Sequence, residues 1–198
     1  MGQEDAAINA YRSALALESN HGEAHFELAR LLEKKGHASD ATAHYNAASL
    51  HRPSSPEPHL YRGALHEARG EFEDARQAYG RAISLGAPEG SALRRDLQVP
   101  IIPVSKTSYA EARMSYLHAL DAQIAAPPAI GNPIREAGGN RFFLAYHGLD
   151  DRPFQEKQSR LRRMGCPSLS WTAPHCRSAH PDESASRHAS CTIIPLAD

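Results

Sequence analysis

Apolar and small residues return at helical spacing through the first half of the chain, and glycine and proline interrupt them at regular places. Ala41, Tyr45 and Ala48 fall at i, i+4 and i+7 and so share one face of a helix. Gly36 and Gly70 lie between pairs of predicted helices, where a residue free to take positive φ ends one helix and lets the chain reverse. Pro53 stops the second helix, and Ser54, Ser55 and Pro56 turn the chain into the next one. Residues 90–97 read as a short helix with Leu93 and Leu97 on one face, suited to covering the end of the preceding helices. The apolar run from Val99 to Val104 contains Pro100 and Pro103, which exclude a helix and predict an extended connector. Ser108 and Glu111 form a capping-box signature ahead of a helix to Ala125, in which Ala112, Tyr116, Leu120 and Ile124 recur on one side, with Ala119 beside them. Pro127 and Pro128 end that helix; residues 129–140 read as a loop and 141–146 as a short aromatic strand. Asp151 is expected to cap a last helix that holds Pro153 in its first turn and runs to about Met164.

The breakers and the helix faces repeat with a common step of 34 residues. Gly2, Gly36 and Gly70 keep it, as do Ala7, Ala41 and Ala75, then Tyr11, Tyr45 and Tyr79, then Ala14, Ala48 and Ala82, with Ser19, Pro53 and Ala87 a looser fifth set. Small alanines let helices approach closely, and the tyrosine ring is expected to fill the space between neighbouring repeats. An unrelated helical bundle does not predict positions held in phase. Residues 22–55 and 56–89 are two complete units, and residues 1–21 are the second half of a preceding one.

This pattern resembles the tetratricopeptide repeat, which has the same period. His25 and His59 stand where that family often has Trp, Leu28-Ala29 stands for its Leu-Gly, and Arg62-Gly63 keeps the Gly without the Leu. The resemblance implies an all-α solenoid of about two and a half repeats over residues 1–97, then a mostly helical connector over 98–176 and a disordered tail over 177–198. Residues 142–152, Gln155 to Lys157 and 166–176 are further similar to the connector of bacterial SPINDLY and O-linked N-acetylglucosamine transferase-type proteins, where it leads to a two-lobed glycosyltransferase. Such a catalytic region needs several hundred residues of alternating strands and helices, and no residue here matches its donor-binding or catalytic motifs. The polar, breaker-rich tail is expected to be an out-of-frame or prematurely stopped end.

Composition sets outer limits on function. With 198 residues, 41% hydrophobic content and a formal net charge of -1, the chain has the balance of a globular protein and no nucleic-acid-binding surplus of positive charge. No apolar run approaches the roughly 20 residues of a membrane span, and the first residues lack the regions of a signal peptide, so the expected location is cytoplasmic. Cys166, Cys176 and Cys191 fit free thiols better than a disulfide framework.

Candidate chemistry is thin. His175, Cys176, His180, His188 and Cys191 offer ligand types suited to zinc, but at a spacing that matches no pairing of ligands, and no metal or other cofactor is expected. His147 with Asp150 and Asp151 has the makings of a base and its orienting carboxylate, yet no nucleophile accompanies it. Arg160, Arg162 and Arg163 form a basic cluster that reads as a solvated or docking face.

The reading that remains is a non-catalytic module that binds a protein or peptide segment on the concave face made by the first helix of each repeat. The groove candidates are Glu23, Phe26, Glu27, Arg30 and Glu33 in one repeat, and Glu57, Leu60, Tyr61, Ala64 and Glu67 in the next. An apolar and aromatic centre edged by carboxylates suits an extended peptide of some basic character; Phe26 and Leu60 are equally suited to packing between helices. The repeat-packing set is Gly36, Ala41, Tyr45, Ala48, Gly70, Ala75, Tyr79 and Ala82. Two further expectations follow: a recruiting arm of a transferase whose catalytic lobes are missing, and self-association through the uncovered face of Ala7, Tyr11 and Ala14.

Overall fold

The computed structural model describes residues 2–98, 106–136 and 150–170. Helices α1 (Gly2–Leu17), α2 (Gly22–Lys34), α3 (Ala38–His51), α4 (Glu57–Arg69) and α5 (Phe72–Ser84) follow one another, then α6 (Ser91–Asp96), α7 (Lys106–Ala125), α8 (Pro133–Glu136), α9 (Arg152–Gly165) and a 3-10 turn, Pro167–Ser170. There is no strand among the described residues. Helices α2 with α3, and α4 with α5, make the two most extensive pairings, and α1, α3 and α5 pass the stack to α2, α4 and α6. The two hairpins therefore coincide with the units expected at 22–55 and 56–89.

Local chemistry explains the hairpins. The His21 side chain accepts a hydrogen bond from the Ala24 amide at 3.1 Å and opens α2. At its other end Gly36 takes φ +83°, the Gly36 amide bonds the Glu33 carbonyl and the His37 amide bonds the Leu32 carbonyl, both at 2.9 Å. Gly70 repeats the motif at φ +76°, with the Glu71 amide bonded to the His66 carbonyl at 2.9 Å. Gly2, although in phase with them, is the first residue of α1, and among the described residues the other left-handed glycine is Gly86, just after α5. The 34-residue glycine step thus marks turns at only two of its three positions.

The alanines and tyrosines of the two complete units lie in the core. Ala41, Tyr45, Ala48, Ala75, Tyr79 and Ala82 are all fully buried. Tyr45 belongs to a cluster with Ile8, Phe26, Leu28, Ala29, Leu32 and Leu65. A methyl group on Gly63 would come within 2.8 Å of the Tyr79 ring, which accounts for glycine there where the preceding repeat carries Ala29. In α1, by contrast, Tyr11 is half-buried and Ala14 exposed.

A second core begins at α6. Leu93 and Leu97 join Tyr116 and Leu120 of α7, Ile130, Phe154 and Leu161 of α9, and Cys166. The α6 helix still packs on α5, so it belongs to both halves. In α7, Arg113 and Tyr116 are both buried. Cys166 is a free, buried thiol.

Two expectations in this region are corrected. Residues 129–140 are not loop throughout: Asn132-Pro133 starts the short α8, whose Glu136 carboxylate accepts from the Gly131 and Asn132 amides at 3.1 and 2.9 Å. Asp151 stands at the N-cap of α9, with Pro153 in the first turn as expected, but its carboxylate binds Arg113 at 2.6 Å rather than the helix amides. Asp150 takes the Arg152 amide at 3.0 Å in its place. The connector at 99–104, the strand at 141–146 and the tail at 177–198 lie outside the described residues, as does the side chain of Ser108.

Candidate functional site on the first helices

Helices α2 and α4 hold all ten groove candidates. Their centre is an aromatic group that spans both repeats. Phe26 meets Tyr61 edge-on at 5.4 Å between ring centroids and Tyr45 at 5.9 Å, and Tyr45 lies 5.7 Å from Tyr61. The Arg30 guanidinium lies 6.0 Å from the Phe26 ring centre and 5.9 Å from that of Tyr61, and Arg52 lies 5.5 Å from Phe26. Phe26 is only 7% exposed and belongs to the core, whereas Leu60, Tyr61 and Ala64 are half-buried. Of the apolar candidates, the latter three retain exposed surface.

The carboxylates are more engaged than their sequence positions suggested. Glu27 holds Arg30 through both oxygens at 2.9 and 3.0 Å, and raises the guanidinium pKa still further. Glu23 lies 2.7 Å from Arg52. Glu57 accepts from the Ser55 hydroxyl, and that bond, aided by the field of Arg52, lowers its pKa although burial opposes the shift. Glu33 accepts from the Tyr45 hydroxyl at 2.7 Å, and Glu67 from the Tyr79 hydroxyl at the same distance. Burial first, and the Glu33 carboxylate second, push the Tyr45 phenol far above its ordinary range, so it stays a donor.

The Tyr-to-Glu pair is a repeat feature that the sequence reading separated into two roles. Glu33 and Glu67 keep the 34-residue step, as Tyr45 and Tyr79 do, and each pair joins the two helices of its own unit. Looking for polar positions in phase, as well as small and aromatic ones, would have found it. Arg94 of α6 was also missed: it binds Glu67 at 2.7 and 3.2 Å and lies 5.0 Å from the Tyr79 ring centre. Here the cation that closes the second unit comes from the following helix.

Behind this face, α2 and α3 hold a histidine pair. His25 and His44 place their Nδ1 atoms 2.9 Å apart, and His25 Nε2 lies 3.0 Å from the Ser19 carbonyl. The carbonyl requires a proton on His25 Nε2, so in the neutral pair His44 Nδ1 donates to His25 Nδ1. Burial, then the nearby His25, lowers the His44 pKa; burial, then Arg62 and Arg81, lowers that of His59, whose Nδ1 has no hydrogen-bond partner. Because both groups bind protons less readily when folded than the ordinary value of 6.5, the unfolded chain takes up more protons as pH falls through that value. The stability they contribute is present above pH ~6.5 and is lost below it. The melting temperature is therefore expected to drop between pH 7 and 5, and His59→Leu to flatten that slope; an unchanged slope in the variant would remove His59 from this account.

Asp150 and Asp151 serve the start of α9 and the Arg113 pair. His147 and the histidines and cysteines from 175 onward lie outside the described residues. Arg160 and Arg163 are exposed, as a solvated face requires. No helix of the described residues is long and apolar enough to cross a membrane.

Comparison with known proteins bears on the fold. Residues 1–65 match the tetratricopeptide repeat family, and the all-helical architecture is that of a tetratricopeptide-like repeat fold. Two crystal structures of MamA are similar to this chain. One superposes with a TM-score of 0.55 at 20% identity, over 84% of this chain and 92% of that one. The other has a TM-score of 0.54 at 18% identity, over 87% and 89% respectively. At these identities the likeness is one of fold. No curated protein matches the chain, and the resemblance to glycosyltransferase connectors gains no support from the family match.

Proposed function

We propose that the chain is a protein-binding module that takes an extended polypeptide segment across the first helices α2 and α4. Tetratricopeptide repeats generally mediate protein–protein contacts, and residues 1–65 match that family. The observation that carries the reading further is the strip formed by Glu27, Arg30, Leu60, Tyr61 and Ala64, which remains open to solvent beside an aromatic group already fixed by packing. A rigid strip spends little conformational entropy when a partner lies on it. Five carboxylates, those of Glu23, Glu27, Glu33, Glu57 and Glu67, share this face with the guanidiniums of Arg30, Arg52 and Arg94. Negative charge is in excess, although much of it is already held in internal bonds, so the segment that fits is apolar with scattered basic residues.

Reversing one charge of this strip tests this directly. Against a peptide selected from a random library on the wild-type chain, Glu27→Lys is expected to lower affinity at least about tenfold through like-charge repulsion. Glu73→Lys, on the exposed flank of α5, is expected to leave affinity unchanged. Glu73 is on the surface, so its reversal should move stability by less than about 0.5 kcal/mol; Glu27→Lys also breaks the pair with Arg30 and should cost about 1 kcal/mol, too little to unfold the chain. Equal effects of the two reversals would remove the first-helix face from the reading.

A further inference from the structure

The turn between α4 and α5 brings three metal-ligating side chains to one point. His66 lies in the last turn of α4, Glu71 at the N-cap of α5 and Asp74 in its first turn. One ligand atom from each, an imidazole nitrogen and two carboxylate oxygens, falls within 4.8 Å of the other two. His66 Nδ1 and Glu71 Oε2 are already 2.6 Å apart.

The preceding repeat shows what this turn holds otherwise. Thirty-four residues earlier the same positions carry Leu32, His37 and Asp40. Leu32 is buried at 2% exposure and belongs to the core, whereas His66 keeps 17% of its side chain exposed and turns to Glu71. The second repeat thus carries an imidazole where the first carries an apolar core residue, at a cost in burial that the fold alone does not demand. Glu71 differs in the same direction: at the N-cap it makes no side-chain bond to the helix amides, and its carboxylate faces His66. The left-handed Gly70 is what swings Glu71 back over the last turn of α4.

We propose that His66, Glu71 and Asp74 form a binding site for a borderline divalent cation, with zinc the best fit. One imidazole and two carboxylates suit zinc, and an imidazole ligand disfavours magnesium and calcium. Tetrahedral coordination at about 2.0–2.2 Å places ligand atoms roughly 3.3 Å apart, so the group closes by side-chain rotation alone. Glu71 and Asp74 are exposed, so water supplies the remaining coordination position. Arg69, whose Nη1 lies 3.9 Å from Glu71 Oε2, is the cation that zinc displaces. Bound there, the ion ties α4 to α5 at the turn.

The test is zinc titration of the full chain by calorimetry and thermal melting, for the wild type, His66→Leu and Asp74→Asn. His66→Leu restores the residue of the preceding repeat and is expected to fold at least as well without zinc. Each variant is expected to weaken one zinc site by about tenfold or more, since each removes one of three ligands. Calcium should not substitute. Because the chain has 12 histidines, the difference between wild type and variants is the readout. Zinc affinity and zinc-dependent melting shared in full by both variants, or no zinc-dependent stabilisation of the wild type, would overturn the site and leave a His–Glu hydrogen bond only.

Discussion

Replacing Tyr45 by alanine is expected to cost about 3 to 5 kcal/mol, measured as a fall in the urea midpoint at constant slope. The ring is fully buried and meets Phe26 of its own repeat and Tyr61 of the next, so its removal opens a cavity where two repeats join. It also leaves Glu33 without the hydroxyl it accepts from at 2.7 Å. Tyr45→Phe separates the two contributions: it keeps the ring and removes the donor, and should cost only about 1 kcal/mol. A loss below about 1 kcal/mol for the alanine variant would mean that the ring does not act as a wedge between repeats.

The second large effect belongs to the other core. Arg113→Ala is expected to destabilise by about 3 to 5 kcal/mol, because it leaves the Asp151 carboxylate charged and poorly solvated. Arg113 is buried; it binds Asp151 Oδ1 at 2.6 Å and the Asp150 carbonyl at 3.0 Å, and its guanidinium lies 4.2 Å from the Phe154 ring centre. It fastens α7 to the start of α9. A double-mutant cycle with Asp151→Ala checks the cause: the pair should be less than additive by about 1 to 3 kcal/mol. Full additivity would show that the two side chains stabilise separately.

The two cores were not equally legible in the sequence. In the first, a small and aromatic pattern returns in phase, and each return had one physical meaning: alanine for close approach, tyrosine for filling, glycine for the left-handed turn. Position alone therefore located α2 to α5 and their buried faces. In the second the pattern lapses, and one of its buried positions, Arg113, is charged, which no search for apolar periodicity finds. Its partner, Asp151, lies 38 residues away, and no local rule links them. For the same reason Asp151 read as a helix cap: the local signal was right about the position and blind to the competing long-range cation. Leu93 and Leu97 were assigned a face correctly, but which core that face meets is a tertiary fact.

On the candidate site, the sequence placed the side chains and misjudged their availability. Phe26 and Leu60 occupy equivalent positions, yet Phe26 is held in the core by two tyrosines while Leu60 stays half-buried. Helical spacing cannot distinguish them, because the difference comes from Tyr61 on the neighbouring repeat. The carboxylates differ in the same way: Glu33 and Glu67 keep their charge on this face, but the tyrosine hydroxyls hold their oxygens.

The account stands or falls on which face meets a partner. A photo-crosslinking residue placed in turn at Arg30 and Ala64 on the first helices, and at Ala43 and Gln77 on the exposed sides of α3 and α5, maps the contact of a library-selected peptide residue by residue. The account predicts crosslinks from positions 30 and 64 and none from 43 and 77. Crosslinks confined to positions 43 and 77 would contradict it.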